Sequence, residues 1–249
     1  MVSLDKLVDY CNRLLEAGRF RDYAPNGLQV QGRDRVTRIV SGVTASRALI
    51  EQAIALEADA ILVHHGYFWK GEDPCLTGMK RARIALLLEH GISLIAYHLP
   101  LDAHPELGNN AVLARELELE VDGPLNAEGI GLHGRLAEAL EPGLFAERLR
   151  RVLRHAPLHI PGGPEVIQRV GWCTGAAQDY IEQAVALGLH AFVSGEISER
   201  TTHTAREAGI HYFAAGHHAT ERGGVQALGT HLAAHFGLEH RFVDDPNPV

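Results

Sequence analysis

The sequence predicts an α/β protein built of two similar α/β domains from an internal duplication, each with a mostly parallel sheet flanked by helices. Three observations predict it. Short apolar runs alternate with segments of helical periodicity, which is the pattern of βαβ units. The second half of the chain repeats the first. His and carboxylate residues recur where strands end, and parallel α/β sheets bind ligands outside the carboxyl ends of their strands.

Residues 4–17 place Leu4, Leu7, Val8, Cys11, Leu14 and Leu15 on one face of a helix. The stretch 23–32 reads as a turn and a short strand, and Ile39–Val43 as an apolar strand. A helix over 45–56 leads to a buried strand, Ala60–Val63, which stops at His64-His65-Gly66. A helix over 80–90 leads to the strand Ser93–Tyr97, which runs into His98-Leu-Pro-Leu-Asp102. Helix 109–118 closes the half.

The repeat runs in register. Ile50-Glu-Gln-Ala-Ile-Ala-Leu56 matches Ile181-Glu-Gln-Ala-Val-Ala-Leu187, and the strands around them match as well. The later strands end in His98-x-x-x-Asp102 and His217-x-x-x-Glu221, each expected to precede a helix, 109–118 and 224–236. The expected division is 1–125 and 126–249, with the C-terminal helix free to pack across the boundary. The second half carries an extra strand (129–134), a helix (142–155) and the loop Pro161-Gly-Gly-Pro164.

The 249 residues are 46% hydrophobic and 22% charged, an ordinary globular balance. A net charge of -8 argues against a broad nucleic-acid surface. Three cysteines without a C-x-x-C give neither a disulfide framework nor a thiolate zinc site. The amphipathic start has no signal-peptide core, and no run approaches ~18 apolar residues, so no membrane span is expected. A cytoplasmic protein follows by elimination.

His64, His65, Asp102, His217 and Glu221 are the candidate metal ligands. Imidazoles and carboxylates suit zinc, iron, manganese or cobalt, which the sequence does not distinguish. A bridging carboxylate can hold two ions ~3.5–4 Å apart. Two divalent ions outweigh these two carboxylates, so the site would attract a small anionic substrate. Alone, each motif is weak: the chain has 16 histidines, and i,i+4 pairs are common on solvated helix faces. Position gives them weight, because two of them fall at equivalent places in the repeat. His98 reads as a proton-moving group or a structural one. Gly195-Glu196 falls at the repeat position of His64-His65, so Glu196 and His203 are candidate acid/base or substrate-contacting groups. No G-x-S-x-G elbow, Walker A loop or G-x-G-x-x-G fingerprint appears.

These residues resemble a known family. Pro25-Asn-Gly-Leu-Gln29, Val63-His-His-Gly66, His98-Leu-Pro-Leu-Asp-Ala-His104, Gly108-Asn-Asn110, Ser194-Gly-Glu196 and Gly216-His-His-Ala-Thr-Glu-Arg-Gly-Gly224 are similar to the GTP cyclohydrolase 1 type 2 homolog family, the Nif-three-like proteins, over the whole chain. The resemblance implies that His64, His65, Asp102, His217 and Glu221 hold a dinuclear centre in a cleft between the domains. It also implies that His218 is no ligand and that the protein forms a homohexamer. The segment 126–165 is too short for the inserted domain of longer members, so this is the compact form. The functional expectation, GTP cyclohydrolase-like by the resemblance, is a metal-dependent hydrolase acting on a nucleotide or related anionic substrate, with a non-catalytic metal carrier or regulatory scaffold as the alternative.

Overall fold

A computed structural model describes all residues, Met1–Val249. In chain order the elements are β1 (Val2–Ser3), α1 (Leu4–Leu14), β2 (Gly27–Val30), β3 (Arg35–Val36), β4 (Arg38–Thr44), α2 (Arg47–Ala55), β5 (Ala60–His65), α3 (Gly78–His90), β6 (Ser93–Ala96), α4 (Leu99–Ala103) and α5 (Asn109–Glu116). They continue with β7 (Leu119–Pro124), β8 (Leu132–Leu140), α6 (Pro142–Leu153), β9 (Leu158–Ile160), β10 (Ile167–Cys173), α7 (Ile181–Ala186), β11 (Ala191–Ser194), α8 (Glu199–Ala208), β12 (His211–Ala214), α9 (His217–Phe236) and β13 (Glu239–Phe242).

Two compact units result, and neither is continuous in sequence. The first holds Met1–Leu107 and Gly224–Asp245, the second Gly108–Gly223 and Pro246–Val249. This differs from a single cut between 125 and 126. Strand β7 pairs with β8, Leu119 opposite Leu136, which ties it to the second sheet. Strand β13 pairs in parallel with β4, His240 opposite Ile39, which returns it to the first.

The first unit has the order β13-β4-β5-β6-β2, parallel except for β2 against β6. Its strands are apolar on both faces, as buried parallel strands must be. Alternation sends Ile39, Leu62 and Ile95 to one face, against Leu4, Leu7 and Cys11 of α1 and Val225, Leu228 and Leu232 of α9. Val40, Ile61, Val63 and Leu94 take the other face, against Leu49, Ile50 and Ala53 of α2 and Ile84 and Leu87 of α3. Ser46 caps α2 by accepting a bond from the Leu49 amide. Burial of Cys11 on the inner face of α1 pushes its thiol up to about 12.

The second unit has the order β7-β8-β10-β11-β12-β9. Its centre, β10-β11-β12, is parallel and repeats β4-β5-β6. Its outer pairings are antiparallel, so the mostly parallel character expected of this sheet is confined to the three central strands. The extra segment supplies β8 and β9, and β7 comes just before it. Trp172, Val193 and Phe213 pack on Phe145 and Leu149 of α6 and Leu113 of α5. The Trp172 indole donates to the Asn110 carbonyl, which satisfies its buried N–H. No helix is long and apolar enough to cross a membrane.

Candidate metal centre

In the first unit, β5 carries the chain to its carboxyl end and delivers His64 and His65 there. Strand β5 is longer than the sequence reading, reaching through both histidines, since Thr44 of β4 pairs opposite His65. His98 follows β6 at the entrance of α4, and Asp102 lies one turn on, its amide bonded to the His98 carbonyl. His64, His65 and His98 bring one ring nitrogen each within 4.8 Å of one another. The His64 Nε2 lies 3.5 Å from Asp102 Oδ1, both side chains nearly fully buried.

Each of these rings is engaged at Nδ1. His64 Nδ1 meets the Tyr97 carbonyl at 2.9 Å. His65 Nδ1 lies 3.2 Å from Thr44 Oγ1. His98 Nδ1 meets Asp22 Oδ1 at 2.6 Å. A proton held at Nδ1 by a carbonyl or carboxylate puts the lone pair on Nε2, the arrangement in which metal-ligating histidines are held.

Asp22 was not singled out from the sequence. Its carboxylate also accepts from the Leu99 amide, the Tyr23 amide and Asn26 Nδ2. Burial opposes its charge, but the bonds from His98 and Asn26 outweigh burial and lower its pKa to about 2. Asn26 Oδ1 receives the His98 amide. Gln29 Oε1 accepts from the Tyr67 amide, and a Cβ at Gly66 would overlap that oxygen. The motif 25–29 thus supports the His98 and His65 loops from behind.

In the second unit, α9 starts at His217, seven residues before the expected start at 224. His217 and Glu221 therefore share its first turns, with His217 Nε2 at 3.1 Å from Glu221 Oε2. His217 Nδ1 meets Glu196 Oε1 at 2.7 Å, the fourth ring held in this way. Burial works against a charged His217, yet the bonds to Glu221 and Glu196 raise its pKa to about 9 in the metal-free protein. Tyr212 donates its hydroxyl to the Glu196 carbonyl and fixes that loop. Gly175 follows β10 with φ +71, and a Cβ there would overlap Glu221 Oε1.

The structure thus brings His64, His65, His98 and Asp102 together in one unit, and His217, Glu221 and Glu196 in the other. Glu196 touches the His217 ring and orients it. His203 is exposed on α8 and takes no part in the contacts that tie Glu196 to His217. His218, beside His217, is buried and its amide bonds the Val249 carbonyl.

Fold and site define a two-unit α/β protein that presents anchored histidines and carboxylates at the carboxyl ends of its strands. The chain belongs to the Duf34/NIF3 (NGG1p interacting factor 3) family, whose model matches residues 2–248. A Pseudomonas aeruginosa protein named GTP cyclohydrolase 1 type 2 homolog is 56% identical, covering 100% of this chain and 99% of its own. A solved structure titled protein ybgI, of unknown function, superposes with a TM-score of 0.97 at 48% identity over 100% of both chains. A Thermus thermophilus protein, TTHA1606, does so with a TM-score of 0.92 at 36% identity, again over 100% of both.

Proposed function

We propose that His64, His65, Asp102, His217 and Glu221 together hold two divalent metal ions, and that the protein is a metal-dependent hydrolase acting on a nucleotide or related anionic substrate. One observation carries this reading: His64 Nδ1 faces the Tyr97 carbonyl and His217 Nδ1 the Glu196 carboxylate, so both rings donate there and present Nε2 as the ligating atom, while His65 is anchored at Nδ1 by the Thr44 hydroxyl. Metal-ligating histidines are held by their other ring nitrogen in this way. The donors are nitrogen and oxygen with no thiolate, which fits zinc, iron, manganese or cobalt. The names of close relatives point to GTP-directed chemistry and support a nucleotide as substrate class.

When bound, two such ions supply Lewis-acid polarisation and acidify water. The protein's own groups do the rest. Glu196 holds His217 in one tautomer. Asp22 stays ionised and stabilises a proton taken up at His98 Nε2, so His98 is the general acid/base.

Metal analysis of protein purified without a His tag tests the centre. Two ions per chain are expected. Fewer than one, with no uptake on reconstitution, refutes it. Glu221→Gln is expected to lower occupancy. Turnover is sought among nucleotides, phosphodiesters and small amides, and is expected to vanish with His65→Ala. Tight binding with rapid metal exchange and no turnover would make the protein a carrier. Light scattering tests the homohexamer, with a mass near six chains expected.

A further inference from the structure

Tyr23 and Trp69 stand beside the first-unit histidines, Phe68 precedes Trp69 in its loop, and none of the three has a part in the core. Tyr23 is 63% exposed and Phe68 36% exposed, although both belong to loops pinned at the carboxyl end of the sheet. Trp69 is half-buried. Its ring stands edge-on to His98, centroids 5.1 Å apart at 83°, and tilts over His65 at 5.9 Å. The Tyr23 ring approaches His98 from the other loop, at 6.3 Å and 67°. The two loops are joined, since the Lys70 amide donates to the Tyr23 carbonyl at 2.6 Å.

The second loop is held in an unfavourable shape. Phe68 has φ +65, a left-handed conformation that a bulky side chain rarely adopts. Local contacts offset the strain. Trp69 Nε1 donates to the Gly66 carbonyl, and the Trp69 amide to Glu72 Oε2. Lys80 lies 5.0 Å above the Phe68 ring and pairs with Glu72 at 3.3 Å. A loop strained in order to keep Phe68 exposed and Trp69 against the histidines has a use for those faces. Arg21 and Lys70, both exposed, belong to the same two loops, and Lys80 pairs with Glu72.

We propose that Tyr23 and Trp69 form a ring-binding subsite beside the histidine cluster, which selects anionic substrates carrying a planar heterocycle. This rests on the hydrolase reading for its chemistry, and assigns the residues that set its specificity. Stacking on aromatic faces tolerates any base because each has a π-face, so the subsite recognises the class of ring rather than one base. His98 between Tyr23 and Trp69 places that ring within reach of the acid/base group.

The test is a binding measurement on the purified full-length protein, with guanosine 5′-monophosphate and ribose 5-phosphate as probes. Both carry the sugar and phosphate, and only the first carries a ring. The chain has two tryptophans, and Trp172 is fully buried, so quenching of exposed-type fluorescence reports Trp69. The nucleotide is expected to bind roughly tenfold or more tightly than ribose 5-phosphate, from one to two stacked faces. Quenching is expected with the nucleotide alone. Tyr23→Ala and Trp69→Leu are expected to remove that preference and leave ribose 5-phosphate affinity and metal content unchanged; calorimetry reads affinity in the tryptophan variant. Trp69→Phe is expected to retain it. Equal affinity for the two probes, no nucleotide binding, or a preference that survives in the Tyr23→Ala, Trp69→Leu double variant overturns the subsite. A preference that persists in protein unable to take up metal leaves the subsite standing and removes the hydrolase reading. Full metal occupancy without a ring preference does the reverse.

Discussion

Replacing Gly195 by Ala separates a structural glycine from one that sets the position of a metal ligand. A Cβ at Gly195 would lie 2.6 Å from His217 Cα, 2.7 Å from the Gly175 carbonyl oxygen and 2.9 Å from the His217 amide nitrogen. All three atoms are backbone, so no side chain can rotate away. Carbon–carbon contacts settle at about 3.5 Å or more, so His217 must retreat by roughly 0.9 Å. Metal sites tolerate roughly 0.2 Å in ligand distance. Overpacking of this kind costs about 1–3 kcal/mol, or about 2–12 °C in Tm for a chain of this size. Zinc titration of the chelator-stripped variant is the assay. Affinity is expected to fall by a factor of roughly ten to a hundred or more, as when the support of a ligand is lost. The control is Gly171→Ala, in the same unit. Its Cβ would meet Leu189 at 2.8 Å and Phe192 at 3.2 Å, which are core side chains and not ligands. It is expected to lose comparable Tm and keep wild-type affinity. Undiminished zinc affinity in Gly195→Ala, or an equal loss in Gly171→Ala, would refute the reasoning.

Other outcomes follow from the same contacts. Glu196→Gln removes the carboxylate behind His217 and is expected to weaken metal binding about ten- to a hundredfold, read by titration, with little change in Tm. Chelation of the loaded protein is expected to lower Tm by about 5–10 °C if metal had been present at ~100 times its Kd, and readdition is expected to restore it. The folded-state pKa of Asp22, about 2, lies below its unfolded value, so its stabilisation is present above about pH 4 and is lost as pH falls toward 2. Denaturant unfolding of Asp22→Asn between pH 5 and 2 is therefore expected to show lower stability at the upper end and a flatter acid limb than the parent. An unchanged limb would remove that assignment.

The alternation of elements was legible because parallel strands buried on both faces read as short apolar runs, and β4, β5, β6, β11 and β12 are such runs. The antiparallel margins of the second sheet were less so. Leu132–Leu140 buries only Gly134 and Leu136 and exposes three successive residues after them, and its start is shifted from the expected 129 by the turn glycines Gly129 and Gly131, both at positive φ. The start of α9 was missed because Gly223-Gly224 reads as a helix breaker. Gly223 sits inside the helix instead, where a Cβ would come within 2.6 Å of Val112 Cγ1. Packing against α5, not propensity, selects the residue there. Asp22 was invisible for a related reason. Nothing in its sequence neighbourhood marks a carboxylate that will meet a histidine 76 positions away.

The repeat explains both why candidate ligands could be named from the sequence and why Glu196 and His98 were harder to place. His98 and His217 occupy equivalent positions, and each ring is held at Nδ1 by a carboxylate from elsewhere, Asp22 in one unit and Glu196 in the other. Equivalent positions thus kept the same local chemistry. The preceding strand ends did not. Strand β5 ends in two histidines, whereas β11 is followed by Gly195-Glu196, and the backbone of His217 lies too close to Gly195 for any side chain there. A histidine equivalent to His64 cannot fit in the second unit. The adjacent Glu196 instead turns its carboxylate to His217 and orients it. The same strand end therefore supplies the candidate ligands His64 and His65 in one copy and, in the other, the carboxylate that orients His217, a division that motif spacing cannot reveal because it is imposed by the packing of α9 against that strand end.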